Sequence, residues 1–147
     1  MDVDGTLTDG KIYMGAEGEL FKAFNVKDGM GIKLLQEKGV IVVIITSRKS
    51  DIVINRANEL GITEIHQGVK DKVKIVNALV EKYKISLKHI FYIGDDVNDL
   101  PVIAHVGYSF CPADSADDVR AKVDFVLTKK GGEGAVREAI DLILKGI

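Results

Sequence analysis

The amino-acid sequence predicts an α/β fold built on a doubly wound, mostly parallel, Rossmann-like sheet. Short β-branched apolar runs alternate along nearly the whole chain with segments whose apolar residues recur every three or four positions. The longest run, residues 40–45, is apolar on both faces, as a central parallel strand is. Because 147 residues suit one domain, we expect a single domain over residues 1–147.

The first strand of this sheet is the least visible element in the sequence. A carboxylate that does chemistry at a strand end needs a rigid apolar element before it, yet only Met1 precedes Asp2. We therefore expect the natural polypeptide to extend upstream of Met1.

A β-hairpin insertion over residues 11–24 is predicted to follow the first strand. Two strand-like pieces, residues 11–14 and 19–24, flank a turn that contains Gly15 and Gly18. A hairpin alone is only marginally stable in water, and this one would expose aromatic and aliphatic side chains. We expect it to pack against a partner subunit, with packing on its own domain as the alternative.

The rest of the chain alternates between strands and helices. Apolar runs predict strands at residues 40–45, 62–65, 90–93, 106–110 and 125–127. Single apolar stripes predict two helices, through Val73, Val76, Val80 and Tyr83 and through Val136, Ile140, Ile143 and Leu144. In such folds, the loops at the carboxyl ends of the strands form the functional site.

Composition excludes several classes of protein. With 46% hydrophobic residues, 29% charged residues and a net charge of −2, the chain has the composition of a globular protein. Its basic residues are scattered, which argues against a nucleic-acid surface. No apolar run approaches the ~20 residues of a membrane span, and no leader is visible. The only cysteine, Cys111, rules out an intramolecular disulfide framework, so we expect a cytoplasmic protein.

The first candidate site residues, Asp2 and Asp4, stand in the string Asp-Val-Asp-Gly-Thr near the start of the chain. Side chains two positions apart on an extended segment point to the same side, so these carboxylates converge and repel. A divalent cation and an incoming phosphate would relieve that repulsion. The pattern indicates phosphoryl transfer, and an ordinary turn or a calcium loop is the alternative.

Two more candidates, Thr46 and Lys72, follow predicted strands. Thr46 comes directly after residues 40–45 and offers a hydroxyl and nearby backbone N–H groups to phosphate oxygens. Its alternative role is a helix N-cap. Lys72 begins a predicted helix, where a lysine is slightly unfavourable unless an anion lies nearby. Its alternative is a solvated surface lysine.

An acidic cluster after residues 90–93 contains Asp95, Asp96 and Asp99. Crowded carboxylates at a strand end repel one another unless they share a cation. Because the proposed ligands are all oxygen atoms, Mg²⁺ is expected rather than zinc or copper. The alternative is an acidic cluster that caps a helix.

In this order, the four signals resemble the four motifs of the haloacid dehalogenase-like phosphatases. The hairpin, residues 25–29, residues 67–68 and the tail at 131–138 are similar to the capless branch of that family, whose members hydrolyse sugar-acid phosphates. The resemblance covers essentially the whole chain and implies a fold without a cap domain.

The resemblance also implies a mechanism that passes through an aspartyl-phosphate. Asp2 would be the nucleophile, and Asp4 would act as general acid and then as general base. Thr46 and Lys72 would hold the oxygens of the transferring phosphoryl group.

A magnesium site is implied as well. Asp2, Asp95 and the backbone carbonyl of Asp4 would bind Mg²⁺, the one cofactor that the resemblance implies. Asp96 and Asp99 would support these ligands or a metal-bound water.

The implied substrate is a small phosphorylated sugar acid, 3-deoxy-D-manno-octulosonate 8-phosphate, with a nine-carbon 9-phosphate as the alternative. Arg48 would contact its carboxylate, unless it is an ordinary surface arginine. Glu133 stands where members of this branch often carry arginine, which removes another possible partner for that carboxylate. The branch implies a homotetramer whose subunits complete one another's sites, and a non-catalytic oligomerisation module is the hypothesis from another class.

Overall fold

The computed structural model describes residues 1–146, and its strands are short. They are β1 (Tyr13–Gly15), β2 (Gly18–Phe21), β3 (Val43–Ile45), β4 (Glu64–His66), β5 (Phe91–Ile93), β6 (Tyr108–Cys111) and β7 (Phe125–Val126). β1 and β2 form the antiparallel hairpin. β3 pairs with β4 in parallel, and β5, β6 and β7 form a second parallel sheet in that order.

Helices connect these strands, as the alternating pattern predicts. The α-helices are α1 (Val26–Glu37), α2 (Asp51–Glu59), α3 (Lys72–Tyr83), α4 (Leu100–Ile103), α5 (Asp117–Arg120) and α6 (Ala135–Lys145). Short 3₁₀ turns at Leu87–His89 and Val97–Asp99 flank β5. Both apolar stripes identified in the sequence lie on helices, α3 and α6.

Residues 1–3 join the two parallel sheets. The Met1 nitrogen donates to Val43 O at 2.8 Å, and Ile45 N donates to Met1 O at 2.9 Å. On the other side, Asp2 N donates to Ile93 O at 2.9 Å. The combined order is therefore β4, β3, residues 1–3, β5, β6, β7, and Asp2 stands level with the ends of β3 and β5.

The hydrophobic core has two parts, one on each face of this sheet. Ile44, Ile93 and Phe110 pack with α1, α2 and α6, whereas their chain neighbours Ile45 and Tyr92 pack with α3 and α4. Successive strand residues point to opposite faces, so both faces need helical cover. The doubly wound α/β fold predicted from the sequence is confirmed.

The sequence overestimates the length of the longest strand. Pairing begins at Val43, while Val40 and Ile41 are 39% and 49% exposed. These two side chains, with Met1 and Ile90, line an apolar cavity of about 320 Å³ between β3 and β5. Among the described residues, β3 and β5 are not hydrogen-bonded to each other. Each strand instead pairs with residues 1–3, which lie between them.

The hairpin is present, with its turn at residues 15–18. Tyr13 stacks on Phe21 with 4.3 Å between ring centroids. Met14 and Leu20 are 61% and 63% exposed, so part of this apolar surface faces solvent in the single chain. Phe24 differs, since it packs against the core and lies under the guanidinium of Arg56.

Within residues 1–146, no helix combines the length and apolar character needed to cross a bilayer. Cys111 is buried in the core, where it acts as a small apolar side chain.

Candidate active site

Three carboxylates meet at the carboxyl ends of the central strands. Asp2, Asp95 and Asp99 each place one oxygen within 4.8 Å of the other two. Asp2 and Asp99 are buried, and Asp95 is half-buried. The residues come from two distant stretches, and the adjacency of residues 1–3 to β5 brings them together.

Two glycines permit this close approach. Gly5 has φ +82°, and a Cβ atom there would overlap the Asp95 carboxylate. A Cβ atom on Gly94 would overlap the Asp99 carboxylate. Because only glycine lacks that atom, both turns can lie directly against the acidic side chains.

Asp99 organises the loop after β5. Its Oδ2 accepts hydrogen bonds from Asp95 N at 2.9 Å and Asp96 N at 3.3 Å. Its Oδ1 accepts from the Tyr92 hydroxyl and from Lys72 Nζ, both at 2.6 Å. Four donors therefore occupy its two oxygens.

Lys72 is buried within this cluster. Its Nζ lies 2.9 Å from Asp2 Oδ2 as well as 2.6 Å from Asp99 Oδ1, and the residue is 4% exposed. The interpretation as a solvated surface lysine is wrong. Burial lowers the pKa of Lys72, but Asp2 and Asp99 raise it by more, so its pKa lies above the ordinary value and it is a cation.

One cation does not balance three carboxylates. Burial and the neighbouring Asp2, Asp99 and Asp96 raise the pKa of Asp95 to about 8. Burial, followed by Asp99, also raises the pKa of Asp2. Excess negative charge on hard oxygen ligands fits a divalent cation such as Mg²⁺.

Asp4 lies outside this carboxylate cluster, in an ion-pair network with the hairpin. Its Oδ1 accepts a hydrogen bond from Lys22 Nζ, and its Oδ2 is 3.8 Å from Arg48 Nε. Glu19 contacts the same two cations, at 2.9 Å from Lys22 Nζ and 3.7 Å from Arg48 Nη2. The Ser50 hydroxyl donates to Glu19 as well.

Sequence reasoning missed Lys22, Glu19 and Tyr92. Tyr92 carried a signal, because a tyrosine in a buried strand needs a partner for its hydroxyl. The placement of Lys22 and Glu19 follows from how the hairpin folds over residue 4, which no local spacing reveals.

Thr46 is buried at the end of β3, 2% exposed. Its N–H donates to His66 O at 2.9 Å, and its carbonyl accepts from Val69 N at 3.1 Å. Since α2 begins at Asp51, Thr46 is not its N-cap, and that alternative is wrong. The adjacent Ser47 accepts a hydrogen bond from Asn98 at 3.2 Å, which links this loop to the loop after β5.

Asp96 and Arg48 are the most exposed candidates. Asp96 accepts from Val97 N at 2.7 Å and forms a capping box with Asp99, so Asp96 caps this turn. This agrees with the alternative interpretation of the acidic cluster as a helix cap. The side chain of Arg48 is 42% exposed and reaches Asp4 and Glu19 only at ion-pair distances.

The glycine-rich segment at residues 131–134 packs against the loop of residues 5–8, which follows Asp4. Gly132 N donates to Thr6 O at 3.2 Å, and a Cβ atom on Gly131 would overlap Gly5 O. Glu133 follows as an exposed turn residue. The segment therefore supports residues 5–8 from within the same chain.

Comparisons with known proteins agree with this geometry. A family model for haloacid dehalogenase-like hydrolases matches residues 59–140. The 3-deoxy-D-manno-octulosonate 8-phosphate phosphatase of Yersinia pestis is 47% identical over 97% of this chain and 76% of its own length. The Escherichia coli K12 protein of the same name is 45% identical over 98% of this chain and 77% of its own.

Solved structures give the same result. A 3-deoxy-D-manno-octulosonate 8-phosphate phosphatase from Moraxella catarrhalis, in complex with magnesium, phosphate and the sugar acid, superposes with a TM-score of 0.95. It is 46% identical, and the match covers 99% of this chain and 83% of that one. A cobalt-bound relative from Haemophilus influenzae has a TM-score of 0.95 at 41% identity, over 98% and 84% of the two chains.

Proposed function

Because this chain belongs to the haloacid dehalogenase-like hydrolase family, we propose that it is a magnesium-dependent phosphatase that hydrolyses 3-deoxy-D-manno-octulosonate 8-phosphate. The observation that carries the proposal is the clustering of the Asp2, Asp95 and Asp99 carboxylates, with the Lys72 ammonium group paired to Asp2 and Asp99. The similarity to phosphatases of that substrate supports it.

In the proposed first step, an Asp2 carboxylate oxygen attacks phosphorus and the bond to the sugar oxygen breaks. Asp4 gives its proton to the leaving alkoxide, and an aspartyl-phosphate remains. In the second step, Asp4 takes a proton from the attacking water. The acyl-phosphate bond then breaks, which releases inorganic phosphate and restores Asp2.

Lys72 and Thr46 would assist both displacements. Lys72 holds Asp2 in place and offsets part of the repulsion between its carboxylate and the phosphate. The buried Thr46 would bind a phosphoryl oxygen at the end of β3. Arg48, exposed beside Asp4, is proposed to contact the substrate carboxylate.

For the metal, we propose ligands from Asp2, Asp95 and the backbone carbonyl of Asp4. Bound Mg²⁺ would neutralise the carboxylates and polarise the phosphoryl group. Asp99 already accepts four hydrogen bonds, so it orients Lys72 and the loop after β5 rather than binding the ion directly. Asp96 would support the loop through its cap.

The test is phosphate release from a panel of an eight-carbon 8-phosphate, a nine-carbon sugar-acid 9-phosphate and a hexose 6-phosphate, with Mg²⁺ and with a chelator. We expect the highest kcat/KM on the eight-carbon substrate and no turnover with chelator. Preference for the nine-carbon compound would favour the alternative substrate. Absence of turnover on every compound would favour the non-catalytic oligomerisation module.

We further propose a homotetramer in the cytosol, with the hairpin as a subunit contact. Ile12, Met14, Leu20 and Phe21 are each at least half exposed, and an isolated apolar surface of this kind favours a partner. A second copy of the chain is the partner that the capless branch implies.

A further inference from the structure

Lys22 is a charged residue in an unusual place. It follows the last residue of β2, and its side chain is only 2% exposed. Lysine is almost never fully buried unless its ammonium group is paired. Here the ammonium lies between two carboxylates, bonded to Asp4 Oδ1 and 2.9 Å from Glu19 Oε1.

Glu19 anchors this lysine to the rest of the site. One of its oxygens accepts from the Ser50 hydroxyl, and the other lies near Lys22 and Arg48. The hairpin is thereby tied to the loop after β3. Because Lys22 is buried, moving its ammonium group away from Asp4 would leave a buried charge with one fewer carboxylate partner.

Arg48 does not duplicate this contact. Its Nε lies 3.8 Å from the other Asp4 oxygen, and its side chain is 42% exposed. Lys22 holds Oδ1 with a buried charge-assisted hydrogen bond, which is stronger and more directional. Asp4 Oδ2 is therefore the oxygen left to exchange a proton.

We propose that Lys22, held by Glu19, is a positioning residue that fixes the Asp4 carboxylate so that its second oxygen faces the leaving group and the attacking water. The inference rests on the proposed function, in which Asp4 is the acid–base group. It assigns the hairpin a role in catalysis as well as in assembly. A general acid must lie within hydrogen-bond reach of its target, so loss of this orientation reduces the rate.

The variants are Lys22→Met, Lys22→Arg and Glu19→Gln, with Lys11→Met as the matched control. Lys11 lies on the same hairpin, but its side chain is 74% exposed and its ion pair with Asp9 is 3.9 Å long. Thermal unfolding checks that each variant is folded. Phosphate release from the sugar-acid phosphate gives kcat and KM, and the burst of nitrophenolate from 4-nitrophenyl phosphate reports the first step alone.

For Lys22→Met we expect kcat on the sugar phosphate to fall about 10²-fold, the scale of general acid–base catalysis, with KM changed by less than about twofold. The nitrophenolate burst rate should change by less than about threefold, because that leaving group departs without a proton. Lys22→Arg should recover part of kcat, Glu19→Gln should lose less than Lys22→Met, and Lys11→Met should match the wild type.

Three results would overturn the inference. The first is an unchanged kcat and KM in folded Lys22→Met. The second is an unchanged kcat with a raised KM, which would make Lys22 a substrate ligand. The third is an equal loss in turnover and in the nitrophenolate burst. If Lys22→Met does not fold, Glu19→Gln and Lys22→Arg decide by the same criteria. A wild type that releases no phosphate from any substrate would instead refute the proposed function.

Discussion

Lys72 illustrates how a single side chain decides the character of the site. Its ammonium group lies between Asp2 and Asp99, and Tyr92 bonds the same Asp99 oxygen. Burying this charge is costly unless its partners are fixed. In the proposed mechanism, the Lys72–Asp99 pair would act as a rigid support that aims Asp2 at an incoming phosphate.

At Asp2, removal of the negative charge should stop the reaction. We expect Asp2→Asn to reduce kcat by at least about 10³-fold, because an amide cannot form the acyl-phosphate. Phosphate release measures the effect, and circular dichroism confirms the fold. Glu17→Gln, an exposed carboxylate of the hairpin turn, is the control and should leave kcat unchanged. Near-normal turnover in Asp2→Asn would contradict the covalent route.

At Asp95, a proton and the proposed Mg²⁺ would compete for the same carboxylate. Its pKa of about 8 in the metal-free protein exceeds the unfolded value of 3.8, so this group makes the metal-free protein less stable as pH rises from about 4 to about 8. If Asp95 binds Mg²⁺ as proposed, the ion would have to displace that proton below pH 8. We therefore expect Mg²⁺, at 100-fold its Kd at pH 8, to raise Tm by about 5–10 °C at pH 8. The same concentration should raise Tm by less at pH 6.

Thermal unfolding with and without Mg²⁺ at the two pH values tests this expectation. Asp95→Asn carries no charge, so both the metal-induced shift and its pH dependence should be lost. A shift in the wild type that is as large at pH 6 as at pH 8 would show that Asp95 binds no competing proton.

Among the elements, β5 and the turn after it show why the acidic cluster can form. β5 ends at Ile93, Gly94 leaves room for the Asp99 carboxylate, and the 3₁₀ turn Val97–Asp99 returns that carboxylate to the strand end. The backbone N–H groups of residues 95 and 96 then bond it. The loop is thus folded around one buried side chain.

Adding a methyl group to this element should damage metal binding. In Gly94→Ala the new Cβ would overlap Asp99, and we expect a loss of about 1–3 kcal/mol in the free energy of unfolding together with weaker Mg²⁺ binding. Gly61→Ala is the control, because its φ of +71° also strains alanine while nothing lies within 4 Å of its Cβ.

Both variants should unfold at lower temperature, but only Gly94→Ala should bind Mg²⁺ more weakly. Isothermal titration of each folded variant with Mg²⁺ gives the comparison. Equal Kd values for the two would show that the Gly94 contact does not shape the site.

For the whole molecule, the hairpin is the part with one side packed against the candidate site and the other side exposed. Its inner side supplies Lys22 and Glu19 to the network around Asp4, while Met14 and Leu20 face solvent. Assembly through the exposed side would cover apolar surface and hold the inner side against the site.

A charge on that surface should prevent assembly. We expect Leu20→Glu, at a position 63% exposed, to shift the mass measured by light scattering from that of the proposed tetramer to that of the monomer. Val126→Glu, on strand β7 and 47% exposed, changes apolar surface elsewhere and should leave the mass unchanged. A tetramer that persists in Leu20→Glu would place the subunit contact outside the hairpin.

The sequence by itself determined the doubly wound fold and the residue types that end its strands. Strand alternation, helical spacing and turn-forming glycines are local properties. A strand within residues 40–45 and a helix through Val76 could therefore be predicted without coordinates. The sequence also predicted that Asp2 and Asp95 would lie at one edge, since the carboxyl ends of parallel strands meet there.

Only the tertiary structure decided which of these groups touch. The Lys72–Asp99 pair joins residues 27 positions apart, and the Lys22–Asp4 pair joins residues 18 apart. It also decided that Asp96 caps a turn and that Val40 and Ile41 are exposed beside an apolar cavity. Such contacts depend on how finished elements pack, and the free energy of burying a charge depends on partners that local sequence does not reveal.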